Sequence, residues 1–194
     1  YKNGKWGLMG DQGSLVIPCA YDDLAFLENT DNQIVKLYVR KTRYGLIDTL
    51  GKLTISAIYD EVGKISEARL SVMKDGLWGF TDHRGQLSIP CAYERVKDFK
   101  EGMAAVQKGG RWGYINRQGE LLIPYRYETC GDFSQGLAWV ETDQGHGYID
   151  TTGQLRIQPE FEEARTFFGT TAIVKQNGLF GLINTMGDFI ERPK

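Results

Sequence analysis

Residues 111–128 read RWGYINRQGELLIPYRYE, and the order of apolar and turn residues in this stretch decides the fold. Two apolar runs, at 112–116 and 121–123, are typical of short strands. Residues 116–119 end on Gly119, which accepts the left-handed backbone of a tight turn at little cost. Pro124 then ends the second run, because Pro cannot donate a hydrogen bond to a sheet. The stretch therefore predicts two antiparallel strands joined by a turn.

The same pattern returns along the whole chain, anchored on a residue, usually aromatic, that is followed by Gly. Successive anchors are 38 residues apart once and 34 residues apart four times. A second Gly follows seven residues after every anchor, and an aromatic residue with an acidic neighbour follows after fifteen in the first five copies. Agreement at so many slots indicates a repeat protein. The anchors are Trp6, Tyr44, Trp78, Trp112, His146 and Phe180; the later glycines are Gly13, Gly51, Gly85, Gly119, Gly153 and Gly187; the aromatic–acid pairs are Tyr21 with Asp22, Tyr59 with Asp60, Tyr93 with Glu94, Tyr127 with Glu128 and Phe161 with Glu162.

One unit predicts three strands, at 103–106, 112–116 and 121–123, and the segment after Tyr127 is either a short fourth strand or a packed loop. No segment has a long helical period with caps. A 34-residue unit is too small to bury its own core, so neighbouring units must stack. We therefore predict an all-β array of about five to six 34-residue antiparallel β-meander repeats in an open, solenoid-like stack, with a closed β-propeller as the alternative. We expect the anchors to be buried core residues.

The repeats extend from end to end, so we treat residues 1–194 as a single domain. The chain opens on Tyr1 in the middle of the pattern, and we interpret it as a fragment of a longer protein. The units run approximately from 6 to 43, 44 to 77, 78 to 111, 112 to 145 and 146 to 179, with a partial unit at 180–194.

Several functional classes are disfavoured by the composition. The net charge of −2 provides no basic field for nucleic acid. No apolar run approaches the ~18 residues that span a bilayer, so we expect no membrane insertion by this segment, and the compartment is left open. The sequence has no phosphate loop, zinc-protease motif or catalytic triad pattern, and its three cysteines lack a neighbouring Cys or His at ligand spacing. We therefore expect no enzyme activity, no cofactor and no metal.

The phrases Lys5-Trp-Gly-Leu, Arg111-Trp-Gly-Tyr-Ile-Asn and Leu-Ile-Pro-x-x-Tyr-Glu resemble the WG-repeat family of bacterial repeat proteins. The resemblance covers essentially the whole chain, in six copies of which the last is incomplete. It implies an all-β repeat array and supplies no catalytic residues. Tyr44, His146 and Phe180 depart from the family's anchor Trp.

Residues that break the repeat pattern are the best candidates for function. Trp139 stands where sister units have Ser71, Ala105 or Ile173, and strand alternation turns it away from the face of its neighbours. Tyr125 and Arg126 replace the Cys-Ala of sister units. We expect these three residues to form an exposed ligand surface, the alternative being that they fill a groove between units.

We therefore hypothesise a non-catalytic scaffold that mediates protein–protein interaction, with a carbohydrate or cell-envelope polymer as the alternative ligand. The repeated acidic residue also has two interpretations. It forms either a ladder for cations or basic peptides, or a set of acceptors for turn amides.

Overall fold

The computed structural model describes residues 1–28, 34–40, 43–48, 52–82 and 84–192. All regular secondary structure of these residues is β-strand, and they contain no helix. The chain divides into two compact units, Tyr1–Tyr93 and Glu94–Lys194. The predicted all-β array of antiparallel meanders is confirmed.

The first unit contains three antiparallel sheets, each made of strands that follow one another in the chain. They are β1 (Trp6–Met9) with β2 (Leu15–Tyr21); β3 (Asp23–Glu28), β4 (Ile34–Arg40), β5 (Arg43–Ile47) and β6 (Leu53–Tyr59); and β7 (Glu61–Ser66), β8 (Arg69–Lys74), β9 (Leu77–Asp82) and β10 (Leu87–Tyr93).

The second unit is built in the same way. Its sheets are β11 (Arg95–Val96), β12 (Met103–Lys108), β13 (Arg111–Asn116) and β14 (Leu121–Tyr127); β15 (Leu137–Thr142), β16 (Gly145–Asp150) and β17 (Leu155–Phe161); and β18 (Glu163–Ala164), β19 (Thr171–Gln176), β20 (Leu179–Asn184) and β21 (Phe189–Glu191). No sheet of the described residues closes into a barrel.

Of the two alternatives for the segment after the repeated aromatic residue, a short fourth strand or a packed loop, four of the sheets have the strand. In β11, Arg95 pairs with Gln107 and Val96 with Val106. Four of the six sheets therefore have four strands. The first strand of each four-stranded sheet begins two residues after the aromatic residue of the preceding motif. In the sheet of β15 to β17, the equivalent segment contributes a single bridge, from Cys130 to Val140.

The two repeated glycines have different physical roles. A Cβ on Gly113 would lie 2.5 Å from the Ile123 carbonyl oxygen, so the anchor's Gly lets two strands approach closely. The later Gly instead turns the chain: φ is +83° at Gly119 and +81° at Gly153, in the left-handed region that other residues avoid. Gly51, the member of this set in the second repeat, lies outside the described residues.

The deepest core positions are not the anchors. Tyr114 and Ile115, two and three residues after an anchor, are fully buried. Trp112 is also buried, but Tyr44, Trp78 and His146 are half-buried, and Phe180 and Trp6 are 53% and 44% exposed. The expectation that every anchor is a core residue is therefore correct for Trp112 and wrong for the others described. The burial of an anchor depends on which residues of the neighbouring sheet pack against it, and the anchor's place in the repeat does not determine those residues.

Buried tyrosine hydroxyl groups join successive sheets of the second unit. Tyr114 of β13 donates to the Gly131 carbonyl at 2.7 Å, and Tyr148 of β16 donates to the Arg165 carbonyl at 2.8 Å. The Tyr114 ring also meets Phe133 edge-on at 4.9 Å. These bonds cross from one sheet to the segment that leads into the next, so they fix the spacing of the sheets that carry the candidate site.

Candidate binding surface

The end of β14 presents two of the predicted residues. Tyr125 is half-buried and Arg126 is exposed. One guanidinium nitrogen of Arg126 donates to the Gly153 carbonyl at 2.8 Å, and its Cζ lies 5.0 Å from the centre of the Tyr127 ring. Arg126 therefore reaches from β14 to the turn between β16 and β17, with guanidinium N–H groups to spare.

Trp139 lies on β15, with the alternation that the sequence predicts. Ala138 and Val140 belong to one core cluster, while Trp139 packs against the other. The ring is half-buried, however, so the expectation of a freely exposed Trp is wrong. The physical reason is Gly131, where any Cβ would overlap the indole. The ring of Trp139 occupies the space that a side chain at position 131 would need.

Lys97 occupies the position equivalent to Gly131 in the preceding sheet, and it contacts the same Trp. Its ammonium group lies 5.6 Å from the Trp139 ring centre and 5.9 Å from that of Trp112, and it donates to the Cys130 carbonyl at 2.7 Å. The cation is thus held by two aromatic faces and a carbonyl oxygen. Lys97 is not among the site residues predicted from the sequence.

Two groups beside Lys97 have altered acidity. Burial raises the pKa of the Asp132 carboxyl, against the opposing effect of the Lys97 charge. Burial also raises the pKa of the Cys130 thiol to about 11, so this cysteine is not an activated thiolate at neutral pH.

A cavity of about 350 Å³ lies beside Arg126 and the end of β15. Arg126 and Glu141 both line it, and Glu141 shares a face of β15 with Trp139 because the two are separated by one residue. Arg126 and the strand that carries Trp139 are therefore brought together at one place, although the cavity is not lined by Trp139 itself. The complete lining is Arg126, Tyr127, Glu141, Thr142, Asp143, Gly153 and Leu155.

The repeated acidic residue has a structural role in three of the units. Glu94 accepts hydrogen bonds from the amides of Gly109 and Gly110, at 2.9 and 3.0 Å. Glu162 accepts from Gly178, and Asp60 accepts from Asp75. Each carboxylate therefore caps the hairpin turn of the sheet that it precedes, which accords with the interpretation as acceptors for turn amides.

The described residues contain no group of three or more His, Cys, Asp and Glu side chains that could hold a metal ion. No helix capable of spanning a lipid bilayer occurs among them either. His146 is half-buried beside Trp139, with ring centres 5.7 Å apart, and its Nδ1 has no hydrogen-bond partner among the residues that the structure describes.

The sheets and their repeated contacts define the chain as an all-β repeat protein. A model of the family described as WG containing repeat matches residues 6–34, 44–78, 78–112, 112–144 and 147–180. The chain therefore belongs to the WG-repeat family. The comparison with curated proteins gave no match.

The chain is similar to several solved structures. Hsv2 of Kluyveromyces lactis aligns with a TM-score of 0.53 at 10% identity, over 86% of this chain and 61% of Hsv2. The extracellular domain of the hybrid two-component system BT4673 from B. thetaiotaomicron aligns with a TM-score of 0.46 at 15% identity, over 97% of this chain and 31% of that one. The corresponding domain of BT3049 gives a TM-score of 0.34 at 11% identity, over 98% and 36%. The chain thus spans less than two thirds of each of these proteins.

Proposed function

We propose that this chain is a non-catalytic repeat scaffold that binds another protein through the surface formed by Tyr125, Arg126 and Trp139. The observation that supports the proposal is that Arg126, at the end of β14, and Glu141, two residues after Trp139 on β15, line one cavity. In a repeat array, regular positions maintain the core, and irregular ones are free to recognise a ligand.

The surface has the composition of a protein-binding site. Aromatic and Arg side chains are enriched where interfaces derive most of their binding free energy. The supporting strands are held by the Tyr114 and Tyr148 hydroxyl groups, so binding would cost little ordering of the backbone. A sugar-stacking platform has less support, because Gly131 lies under the Trp139 ring and removes part of its free surface.

Site-specific photocrosslinking tests the proposal. Benzoylphenylalanine replaces Tyr125 in one protein and Cys91, the residue of the same slot in another repeat, in a control. We expect a protein adduct of defined mass at position 125 only, whose partner, once purified, binds the unmodified chain in calorimetry. Arg126→Ala should weaken that binding, whereas Glu160→Ala, at the same slot of the next repeat, should not. Identical adducts at both positions, or binding unaffected by Arg126→Ala, would refute the proposal.

A further inference from the structure

The hairpin turn between β15 and β16 differs from the other described hairpin turns of the repeat. In those, both central residues have positive φ, as type I′ turns require. They are Asn3 with Gly4, Asp75 with Gly76, Gly109 with Gly110, and Asn177 with Gly178. Neither Asp143 nor Gln144 has positive φ, and Gly145 adopts φ +121° instead.

This turn also lacks the carboxylate cap that three of its sister turns have. Glu128, the acidic residue that precedes its sheet, forms an ion pair with Arg111 at 2.9 Å and accepts no turn amide among the described residues. Gln144 N–H donates to the Thr142 hydroxyl at 3.2 Å instead. The turn is therefore shaped by its own residues, and the cavity of about 350 Å³ lies beside it.

Three side chains around the cavity, those of Arg126, Glu141 and Thr142, are specific to this repeat. Thr142 stands where Lys74 and Lys108 are found in sister hairpins, so a cation is missing at this slot. Arg126 replaces an Ala or Ile in the earlier repeats, and Glu141 replaces Met73 or Gln107. Relative to these repeats the cavity gains one carboxylate, Glu141, and one guanidinium, while Asp143 occupies a slot that also holds Asp75. Tyr127 and Leu155 complete the part of the lining that a ligand's apolar atoms would contact.

The charged groups of the cavity keep capacity for a ligand. The Asp143 carboxylate has no hydrogen-bond or ion-pair partner within the part of the chain that the structure describes, and Glu141 accepts one hydrogen bond, from Thr129 at 2.7 Å. Arg126 pairs with neither carboxylate and donates to the Gly153 carbonyl. Separated charges of both signs fit a ligand that offers a cation and, a few ångströms away, a hydrogen-bond acceptor.

We propose that this cavity binds a lysine or arginine side chain of the partner protein. The cationic head lies between Glu141 and Asp143, the aliphatic stem packs on Tyr127 and Leu155, and the partner's own peptide carbonyl accepts a hydrogen bond from Arg126. This inference rests on the proposed function, and it specifies which feature of the partner is recognised.

Short blocked peptides test the inference without the natural partner. The probes are acetyl-Gly-Lys-Gly-amide and the equally long acetyl-Gly-norleucine-Gly-amide, titrated into the ¹⁵N-labelled chain at low salt. We expect saturable shifts of the Asp143, Gln144 and Gly153 amide resonances with the lysine peptide only. Asp143→Asn and Glu141→Gln should each weaken binding by about two- to fivefold, the range for partly exposed charge pairs. Raising the salt concentration should weaken it further.

Asp75→Asn is the matched control, since it removes a carboxylate at the same slot of another hairpin and should leave the affinity unchanged. Equal shifts with the norleucine peptide, no saturable shift with the lysine peptide, or full affinity in the Asp143→Asn variant would overturn the inference. The crosslinking experiment at position 125 separates this failure from that of the proposed function. If crosslinking yields a partner whose binding depends on Arg126 but the lysine peptide does not bind, only the assignment of the cavity is refuted.

Discussion

Replacing Gly113 with Ala tests why each anchor is followed by Gly. The φ of Gly113 is not positive, so the substitution introduces no left-handed strain. The added Cβ would lie 2.5 Å from the Ile123 carbonyl oxygen and 3.0 Å from the Pro124 carbonyl carbon and the Tyr125 nitrogen. All three obstacles are backbone atoms of β14, so relief requires that strand to move. Overpacking of this kind costs about 1–3 kcal/mol, and we expect a value near the upper end because no side chain can rotate away.

Urea unfolding measures this loss, and the thermal midpoint should fall by roughly 6–12 °C, since about 1 kcal/mol corresponds to 2–4 °C for a chain of this size. Gly136→Ala is the control: its Cβ meets nothing within 4 Å, but its φ is +72°, so it reports left-handed strain alone, about 1–2 kcal/mol. A Gly113→Ala protein that loses less than 1 kcal/mol, or less than the Gly136→Ala control, would refute the steric explanation.

Three further predictions concern contacts within the second unit. Tyr114→Phe removes the donor to the buried Gly131 carbonyl and should cost about 1–3 kcal/mol of unfolding free energy in urea titration, whereas no loss would mean that water replaces the bond. Gly131→Ala should destabilise the wild type but have a smaller effect in a Trp139→Ala background, and a double-mutant cycle should give a coupling of about 0.5–3 kcal/mol; strict additivity would contradict the packing of Trp139 on Gly131. The Thr152 hydroxyl and the neighbouring amides hold the pKa of Asp150 at about 2, below its usual value. The ionised carboxylate therefore contributes fully to the free energy of unfolding above about pH 4, and this contribution is lost as the pH falls toward 2. The stability difference between wild type and Asp150→Asn should therefore shrink over that range, and a difference independent of pH would show that the charge contributes nothing.

Repeated residues revealed much of the fold because backbone constraints act locally. The close approach at Gly113 and the turn at Gly119 both follow from what glycine alone permits, so they were predictable without coordinates. The turn has another local determinant that was overlooked: Asp82, Asn116 and Asp150 occupy one slot and accept turn amides through a side-chain oxygen. An Asx residue three positions before the second Gly was the available signal.

Features that depend on neighbouring sheets were not predictable. The strand β11 has two residues, which is too few to show an alternating pattern. The partial burial of Trp139 depends on the absence of a side chain at Gly131, eight residues earlier and on another segment of the sheet. The cavity depends on Arg126 and Glu141 lining one space, and on a hairpin turn whose conformation differs from those of its sister turns. Such features arise from distances between elements, which a single sequence does not encode in any local period.

Each sheet begins near the end of one sequence motif and contains the anchor of the next, and this offset affects how such a gene can lengthen. A duplicated segment of 34 codons that begins at an anchor encodes the end of one sheet and the start of the next. After insertion in frame, the strands at each end of the new segment pair with strands of the flanking repeats. The product therefore gains one whole sheet and leaves no strand unpaired. The same holds for a duplication that begins at any other codon of the period. Unequal crossing-over could therefore lengthen or shorten this protein at almost any breakpoint, provided that the period of 34 is kept.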